Sequence, residues 1–221
     1  MMIYFPGLGS STYPFPPETW TAWKRPMFEY VGIRYIGTTA SLFAHQFSHA
    51  WFHFRGRRGQ FADYFLNSAL ATDVHRLFCM RLHKLFPDYS GELWGITASD
   101  SSQGYTVWDG PPAIGHIDGA VVPCAARGFV GFLPHMTLPV LCNIKTRYMN
   151  ETWSQHGFVD VFNPLTNWYD SDVIGINIGI TMLMAENARS RFVWNTFMKN
   201  PEAKRGMETA GLHPYQAEYA H

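Results

Sequence analysis

The stretch SLFAHQFSHAWFHFRG, residues 41–56, carries the clearest structural signal in the chain. Its apolar residues recur at intervals of three and four, which is the spacing of one face of an α-helix, and Gly56 supplies a stop. A second stretch, residues 61–86, has the same helical character and is closed by Pro87. These two segments predict a protein that is built mainly from helices.

The rest of the chain alternates helical segments with long loops. Helical periodicity returns over residues 138–148 and over 174–198, although the alternation at 173–180 is also typical of a strand. The first 40 residues are interrupted by prolines and glycines, and residues 88–134 show no sustained period. Loops of this length are usually functional. The sequence therefore predicts a single all-α domain over residues 1–221 with long functional loops.

Charge and composition argue against several classes of protein. The 221 residues include 17 Lys plus Arg and 17 Asp plus Glu, so the formal net charge is zero and no nucleic-acid partner is expected. No apolar run reaches the roughly 18 residues that span a bilayer, so we expect no membrane span. The start of the chain lacks the basic region and cleavage site of a signal peptide. No dinucleotide or phosphate-binding fingerprint is present, so we expect no cofactor.

His45, His49 and His53 follow one another at intervals of four, which would place them on one face of the predicted helix. Two histidines at this spacing can ligate zinc, but the glutamate of the zinc-protease motif is absent between them. We favour a polar face that binds substrate through His45 and His49, and predict no metal; structural histidines are the alternative. Arg55 follows directly and is predicted either to bind substrate or to cap the segment.

The segment LWGITASD, residues 93–100, combines an aromatic ring with small and polar side chains. Such a mixture suits a sugar, because Trp94 can stack on the apolar face of a pyranose while Thr97 and Asp100 bond its hydroxyls. A turn in which Asp100 caps the next element is an equally good interpretation.

The segment NPLTNWYDSD, residues 163–172, has the same character. Asn163 and Trp168 are candidate sugar contacts, and Asp170 and Asp172 stand two residues apart before a predicted helix. The two carboxylates are candidates for acid–base groups, with helix capping as the alternative that spacing alone favours.

Taken together, these segments resemble the glycoamylase-like domain family, which includes bacterial endo-β-1,2-glucanases. The matching segments keep the family's order over nearly the whole chain, and they are GLGSSTYP (7–14), PETW (17–20), HQFSH (45–49), FRG (54–56), DYF (63–65), NS (67–68), LWGITASD (93–100), DG (118–119), FNP (162–164), Trp168 with Asp170 and Asp172, EN (186–187) and NP (200–201).

The resemblance implies a fold and a partner. The family fold is an (α/α)6 toroid around a sugar-binding cleft, and a chain of this length supplies about half of its helices. The matched motifs correspond to the C-terminal half, which implies a missing N-terminal half or a second copy as a partner. The resemblance also implies an oligo- or polysaccharide substrate, a β-glucan, and a periplasmic or extracellular location.

The resemblance further implies roles for individual residues. The family's proposed general acid lies upstream of the segment at 7–14, and no Glu or Asp precedes Glu18 here. The chain has His53, His135 and Asn177 where the family has Asp, Glu and Asp. Asp172 is then the best remaining base, supported by Asp170. The implied substrate-binding residues are His45, His49, Arg55, Trp94, Thr97, Asp100, Asn163, Trp168 and Asn177.

Two hypotheses about function follow. The first is a glycoside hydrolase that cleaves a β-glucan, with a β-1,2 linkage favoured, by carboxylate acid–base chemistry. The second is a truncated or degenerate domain that binds saccharide without cleaving it, which the substitutions at His53, His135 and Asn177 favour.

Overall fold

The computed structural model of this protein describes residues 1–37, 41–112 and 115–215. Most of its regular structure is helical. The helices of this described part are α1 (Tyr4–Gly9), α2 (Glu18–Ala22), α3 (Phe47–Trp51), α4 (Tyr64–Arg81), α5 (Pro123–Arg127), α6 (Pro134–Arg147), α7 (Met149–Thr152), α8 (Gly175–Ser190), α9 (Phe192–Phe197) and α10 (Pro201–Thr209). Within the same residues, no helix is both long enough and apolar enough to cross a membrane.

The strands of the described residues are short, and each pairs with one antiparallel partner. They are β1 (Met27–Tyr30), β2 (Ile33–Ile36), β3 (Arg57–Arg58), β4 (Trp153–Ser154), β5 (Gly157–Phe158), β6 (Phe162–Asn163), β7 (Trp168–Tyr169) and β8 (His213–Pro214). The pairs are β1 with β2, β3 with β8, β4 with β5 and β6 with β7. The expectation of an all-α fold is therefore corrected to a mainly helical fold with short strand pairs.

Helix α4 confirms the helix predicted over residues 61–86. Its N-terminus is capped by Asp63, whose carboxylate accepts a hydrogen bond from the Leu66 amide at 3.0 Å. Val74 and Phe78 are fully buried on its inner face, and a 3₁₀ turn at Leu82–Lys84 continues it towards Pro87. The α-helix itself ends at Arg81, before the predicted end at Phe86.

Helices α6, α8 and α9 confirm the two C-terminal helix predictions with one difference. The segment predicted as one helix over 174–198 is divided at Arg191, which has a left-handed backbone with φ of 58°. Asn187 holds this break, because its side chain accepts from the Trp194 amide at 3.0 Å and donates to the Ala50 carbonyl at 2.9 Å. The strand-like alternation at 173–180 is helical from Gly175 onward.

The helix predicted over residues 41–56 is wrong in its extent. The segment forms a 3₁₀ turn at Leu42–His45, then α3, and it is extended from Phe52. Phe52 and Phe54 are both buried at 1% exposure. An extended chain directs residues two apart to the same side, whereas a helix separates them, so burial of both rings favours the extended form.

The hairpin formed by β1 and β2 was predicted as loop. Its turn is Val31-Gly32, with φ of 55° and 77°, and both values are positive as in a tight hairpin turn. Asn67 of α4 fixes the hairpin, because its side chain accepts from the Ile36 amide at 2.7 Å and donates to the Ile36 carbonyl at 3.0 Å. The hairpin is thus stabilised by a contact with a residue distant in sequence, which the local sequence pattern cannot indicate.

Helix α1 also lies in the segment predicted as an irregular loop. It packs closely against α10, where a Cβ on Gly9 would overlap the Glu202 carbonyl and a Cβ on Gly206 would overlap the Phe5 carbonyl. The glycines allow the two backbones to approach, and the packing stabilises a helix that Pro6 and its glycines make intrinsically weak.

The long segment between α4 and α6 confirms the predicted loop, with the short helix α5 inside it. Val121 pairs with Phe162 through two backbone hydrogen bonds of 2.7 and 3.0 Å, and the Val122 amide donates to Gly95 at 2.9 Å. These bonds fasten the segment at 93–100 and the start of α5 to the hairpin of β6 and β7. The fold therefore brings together the two segments, 93–100 and 163–172, whose composition suits sugar binding.

Candidate functional site

Four aspartates, Asp100, Asp160, Asp170 and Asp172, form a group that we call the carboxylate cluster. The chain after β7 runs beside the residues before β6, with the Asp170 amide donating to Val161 at 3.1 Å and the Asp160 amide donating to Asp172 at 3.0 Å. Asp100 is near enough for its charge to act on both Asp160 and Asp170. The sequence segments at 93–100 and 163–172 therefore lie close together in the fold.

Asp160 is the buried member of the cluster, with 3% of its surface exposed. One carboxylate oxygen accepts from the Ser99 hydroxyl and the other accepts from the Asn177 amide at 2.7 Å. Burial raises the pKa of Asp160, and these two hydrogen bonds and the charge of Arg127 oppose that rise. Sequence reasoning missed Asp160, because a single aspartate between two valines carries no motif.

Asp170 and Asp172 differ in their surroundings. Asp172 is exposed, whereas Asp170 is half-buried and accepts from the Asp172 amide at 3.1 Å. The other carboxylate oxygen of Asp170 is buried and has no hydrogen-bond partner among the described residues. Burial, and then the charges of Asp172, Asp100 and Asp160, raise the pKa of Asp170. Asp170 is therefore the more enclosed of the two carboxyls, and Asp172 is the more accessible.

A groove of about 130 Å³ adjoins the cluster. Ser99 and Asn177, the two hydrogen-bond donors to Asp160, line it. Three aromatic residues, Phe43, Phe47 and Tyr105, also line it, and Tyr105 is 69% exposed. Aromatic faces beside polar groups suit sugar rings. No local sequence pattern predicts that these three residues lie together, because they come from two separate segments of the chain.

Trp94 and Thr97 do not face this groove. Trp94 is 0% exposed and Thr97 is 1% exposed, and the Thr97 hydroxyl accepts from the Phe43 amide at 3.3 Å. The prediction that Trp94 stacks on a sugar is corrected, because a fully buried indole presents no face to a ligand. Thr97 likewise has a structural position beneath the segment that carries Phe43.

Asn163 and Trp168 are paired in the hairpin of β6 and β7. Asn163 is 5% exposed, donates to the Asp118 carbonyl at 3.0 Å and accepts from the amides of Leu165 and Thr166. The prediction that Asn163 contacts sugar is corrected, because its side chain is used to hold the turn. Trp168 is half-buried against the core and keeps a partly accessible ring.

His49 is a core residue rather than a substrate contact. It is 1% exposed, lies 2.9 Å from the Ser68 hydroxyl through Nε2, and packs on Phe54 and Phe132. Burial lowers the pKa of His49 to about 3, and the nearby His45 adds to that fall. The imidazole is therefore neutral in the folded protein near pH 7.

His45 and Arg55 lie apart from the carboxylate cluster. His45 lines a different cavity of about 190 Å³ together with Asn67 and Ser68. Arg55 is exposed, its guanidinium lies 4.7 Å from the Phe65 ring centroid, and it donates to the Gly131 carbonyl at 3.3 Å. Neither residue shares a hydrogen bond with the cluster in the described part of the chain.

Of the three histidines predicted on one helical face, His53 is separated from His45 and His49 by the end of that helix. His53 lies beyond the end of α3 and stacks on Trp194. Within residues 1–37, 41–112 and 115–215, no three side chains of His, Cys, Asp or Glu converge as a metal site. His135, where the resemblance implies a glutamate, is exposed in the first turn of α6.

Comparison with known proteins identifies the family. The family model Glycoamylase, described as "Putative glucoamylase", matches residues 1–201. The chain belongs to the glycoamylase family. It is 27% identical over 150 residues to the exo-β-1,2-glucooligosaccharide sophorohydrolase of Parabacteroides distasonis, an alignment that covers 67% of this chain and 20% of that protein.

Solved glycoamylase-like structures share the fold. A "putative glucoamylase" from Bacteroides uniformis superposes with a TM-score of 0.89 at 28% identity, covering 96% of this chain and 53% of that one. The endo-β-1,2-glucanase of Chitinophaga pinensis, in complex with sophorotriose and glucose, gives a TM-score of 0.90 at 23% identity and covers 96% and 54%. This chain therefore spans about half the length of the solved structures that it matches.

Proposed function

We propose that this member of the glycoamylase family cleaves a β-glucan, with a β-1,2 linkage favoured, through the carboxylate cluster. The observation that carries the proposal is the meeting of Asp160, Asp170 and Asp172, in which Asp160 is hydrogen-bonded to Ser99 and Asn177 on the wall of a groove with aromatic residues. The names of the relatives support it, because the Parabacteroides protein is a β-1,2-glucooligosaccharide sophorohydrolase and the Chitinophaga protein is an endo-β-1,2-glucanase.

The carboxyl groups of Asp170 and Asp172 take complementary roles in the proposal. Asp172 is exposed and acts as the base that removes a proton from the attacking water. Asp170 has a raised pKa and a buried oxygen without a partner, so it is suited to hold a proton and deliver it to the leaving oxygen. Glycoside hydrolysis normally uses two carboxyl groups, one as the acid and one as the base or nucleophile.

Asp160 acts through its neighbours rather than on the sugar. Its hydrogen bonds fix Ser99 and Asn177 on the groove wall, and its backbone amide holds the Asp172 carbonyl. Asp100 adds negative charge that favours protonation of Asp170. In this proposal, Tyr105 and Trp168 offer ring faces to the saccharide.

The proposal also includes a partner that completes the fold and a location for the protein. The glycoamylase-like fold of this chain corresponds to half of an (α/α)6 toroid, completed by a missing N-terminal half or by a second copy. The Chitinophaga and Bacteroides structures support this arrangement, because this chain covers 54% and 53% of them. A periplasmic or extracellular location fits a glucan substrate.

The test measures reducing ends released from linear β-1,2-glucan by the purified chain and by two variants. Asp172→Asn and Asp170→Asn keep side-chain shape and remove the proposed base and acid, so each should lower the rate at least about 100-fold. Glu92→Gln is the matched control, because Glu92 is an exposed carboxylate outside the cluster, and it should leave the rate unchanged. Full activity in Asp172→Asn would refute the assignment of the base.

A second candidate function, saccharide binding without cleavage, is favoured by the position of Asn177. Its amide donates to Asp160, so the residue that stands where the resemblance implies a carboxylate serves here as a hydrogen-bond donor. Binding of β-1,2-glucooligosaccharides with no release of reducing ends would support this alternative over hydrolysis.

A further inference from the structure

A further cavity, separate from the groove and from the cavity beside His45, lies where α9 and α10 approach the extended segment after α3. Its volume is about 130 Å³. None of its residues belongs to the carboxylate cluster or to the adjoining groove, and they are His53, Arg57, Met198, Lys204, Met207 and Glu208.

Positive charge is concentrated around this cavity. Besides burial, the charges of Arg191, Arg57 and Arg55 lower the pKa of His53. Lys204 of α10 contributes a further cation to the wall. Within the described residues none of these cations lies within 4.0 Å of a carboxylate, and the polar contact of Arg57 is a 3.4 Å bond to the Leu212 carbonyl.

Glu208 is the acidic residue on the cavity wall. Its side chain is exposed and lies one helical turn from Lys204 on α10, so it can turn towards solvent or towards that lysine. Arg57 and Lys204 on the same wall are cationic, so two positive charges face the single carboxylate.

His53 is the residue on the cavity wall whose side chain carries an unsatisfied polar atom. Its Nε2 atom is buried and has no hydrogen-bond partner among the described residues. Its ring stacks on Trp194 with centroids 4.7 Å apart and planes at 28°. Trp194 is held in turn by hydrogen bonds to the His49 carbonyl at 2.6 Å and to Asn187 at 3.0 Å. The imidazole is therefore positioned before any ligand arrives.

We propose that this cavity binds a small oxyanion, a phosphate group, through His53 Nε2, the Arg57 guanidinium and the Lys204 ammonium. The buried Nε2 atom gains the hydrogen bond that it otherwise lacks, and an unsatisfied buried polar atom is costly to a fold. Arg57 offers paired N–H donors to phosphate oxygens, and Trp194 stabilises a protonated imidazole through its ring face.

The test is titration calorimetry of the full chain with inorganic phosphate, with glucose 6-phosphate and glucose as further ligands. Phosphate alone should bind if the site takes the free ion, and glucose 6-phosphate should bind more tightly if the site takes a phosphorylated sugar; either result supports the site. Glucose should not bind here. No binding of either phosphate compound would overturn the proposal.

Variants assign any binding to this cavity. His53→Phe keeps a ring on Trp194 but removes Nε2, and Arg57→Gln removes the guanidinium, so each should weaken phosphate binding about tenfold. Glu208→Gln should tighten it. Arg34→Gln is the matched control, because Arg34 is an exposed arginine on β2, and it should bind as the natural chain does. Phosphate binding that is unchanged in both His53→Phe and Arg57→Gln would refute the site.

The pH dependence adds a readout that a purely structural role would not move. The charged groups around His53 are Arg55, Arg57, Arg191, Lys204 and Glu208, and burial together with the three arginines lowers the pKa of His53. A bound anion favours the imidazolium, and acidification removes negative charge from phosphate equally for both proteins. The affinity of the natural chain relative to that of His53→Phe should therefore rise as the pH falls below about 6.5.

Discussion

The amide of Asn177 supports a buried carboxylate, and this pairing has a direct consequence for stability. Asn177→Asp would place two carboxyl groups against each other, so they would share one proton near pH 7. The folded variant then binds more protons than the unfolded chain, and its free energy of unfolding should fall as pH rises. We expect a loss of about 1–3 kcal/mol at pH 7.5 and a smaller loss at pH 5 by urea unfolding.

Asn177→Ala provides the control for that measurement. It removes the same hydrogen bond but adds no titrating group, so its deficit should change less between the two pH values. An Asn177→Asp variant as stable as the natural chain at pH 7.5 would contradict the pairing with Asp160.

Tyr105 offers the clearest single-residue test of the groove. It is 69% exposed and lines the groove, so Tyr105→Ala should leave the melting temperature unchanged while weakening saccharide binding about 3- to 10-fold. Tyr13→Ala is matched to it, because Tyr13 is 84% exposed and is not among the groove residues. Equal affinities of the two variants for β-1,2-glucooligosaccharides would show that the groove does not bind sugar.

Three buried histidines predict acid sensitivity. Burial lowers the pKa of His45 to about 4, and burial with the charge of His45 lowers the pKa values of His49 and His75 to about 3. The unfolded chain takes up protons near the ordinary value of 6.5 while the folded chain does not, so stability should fall as pH falls from 6.5 to about 4.

Each histidine contributes at most about 1.4 kcal/mol per pH unit over that range. The raised pKa values of Asp160 and Asp170 act in the opposite direction and reduce the slope. Urea unfolding at several pH values measures the slope of the free energy of unfolding against pH. His49→Gln should show a shallower slope than His156→Gln, in which the exposed His156 is replaced; identical slopes would contradict the burial of neutral His49.

At the scale of elements, the contact of α1 with α10 depends on glycine. Gly206→Ala places a methyl group against the Phe5 carbonyl, so we expect a destabilisation of about 1–3 kcal/mol. Gly179→Ala is the matched control in α8, because no atom lies within 4 Å of its added Cβ, and it should stabilise by about 0.5–1 kcal/mol. Thermal unfolding measures both, and a neutral Gly206→Ala would show that the two helices are not in close contact.

The elements that the sequence predicts well are those with enough length for a clear period. Helix α4 and helix α6 have a buried face with helical spacing, and proline or a cap marks their ends. The hairpin of β1 and β2 and helix α1 depend on Asn67 and on Gly206, which are distant in sequence. No local pattern carries that information, so these two elements could not be predicted.

At the scale of the molecule, the sequence identifies polar segments but not which of their side chains are accessible. Asp170 and Asp172 lie in one cluster with Asp100, and whether this cluster is the active site stays a prediction. The predicted stacking of Trp94 on a sugar is wrong, because composition cannot tell a buried indole from an exposed one. The sequence does not single out Asp160, because its importance comes from its buried position. The glycoamylase family resemblance located the segments, and the fold decided which side chains reach the groove.

The most direct test of the account is the pH profile of reducing-end release from linear β-1,2-glucan by the natural chain. Asp170 must hold a proton and Asp172 must lose one, so the account predicts release with a maximum on the acidic side of neutrality. The rate should fall as pH rises through the pKa of Asp170. Absence of any release across the pH range, from a folded chain, would contradict hydrolysis by this carboxylate cluster.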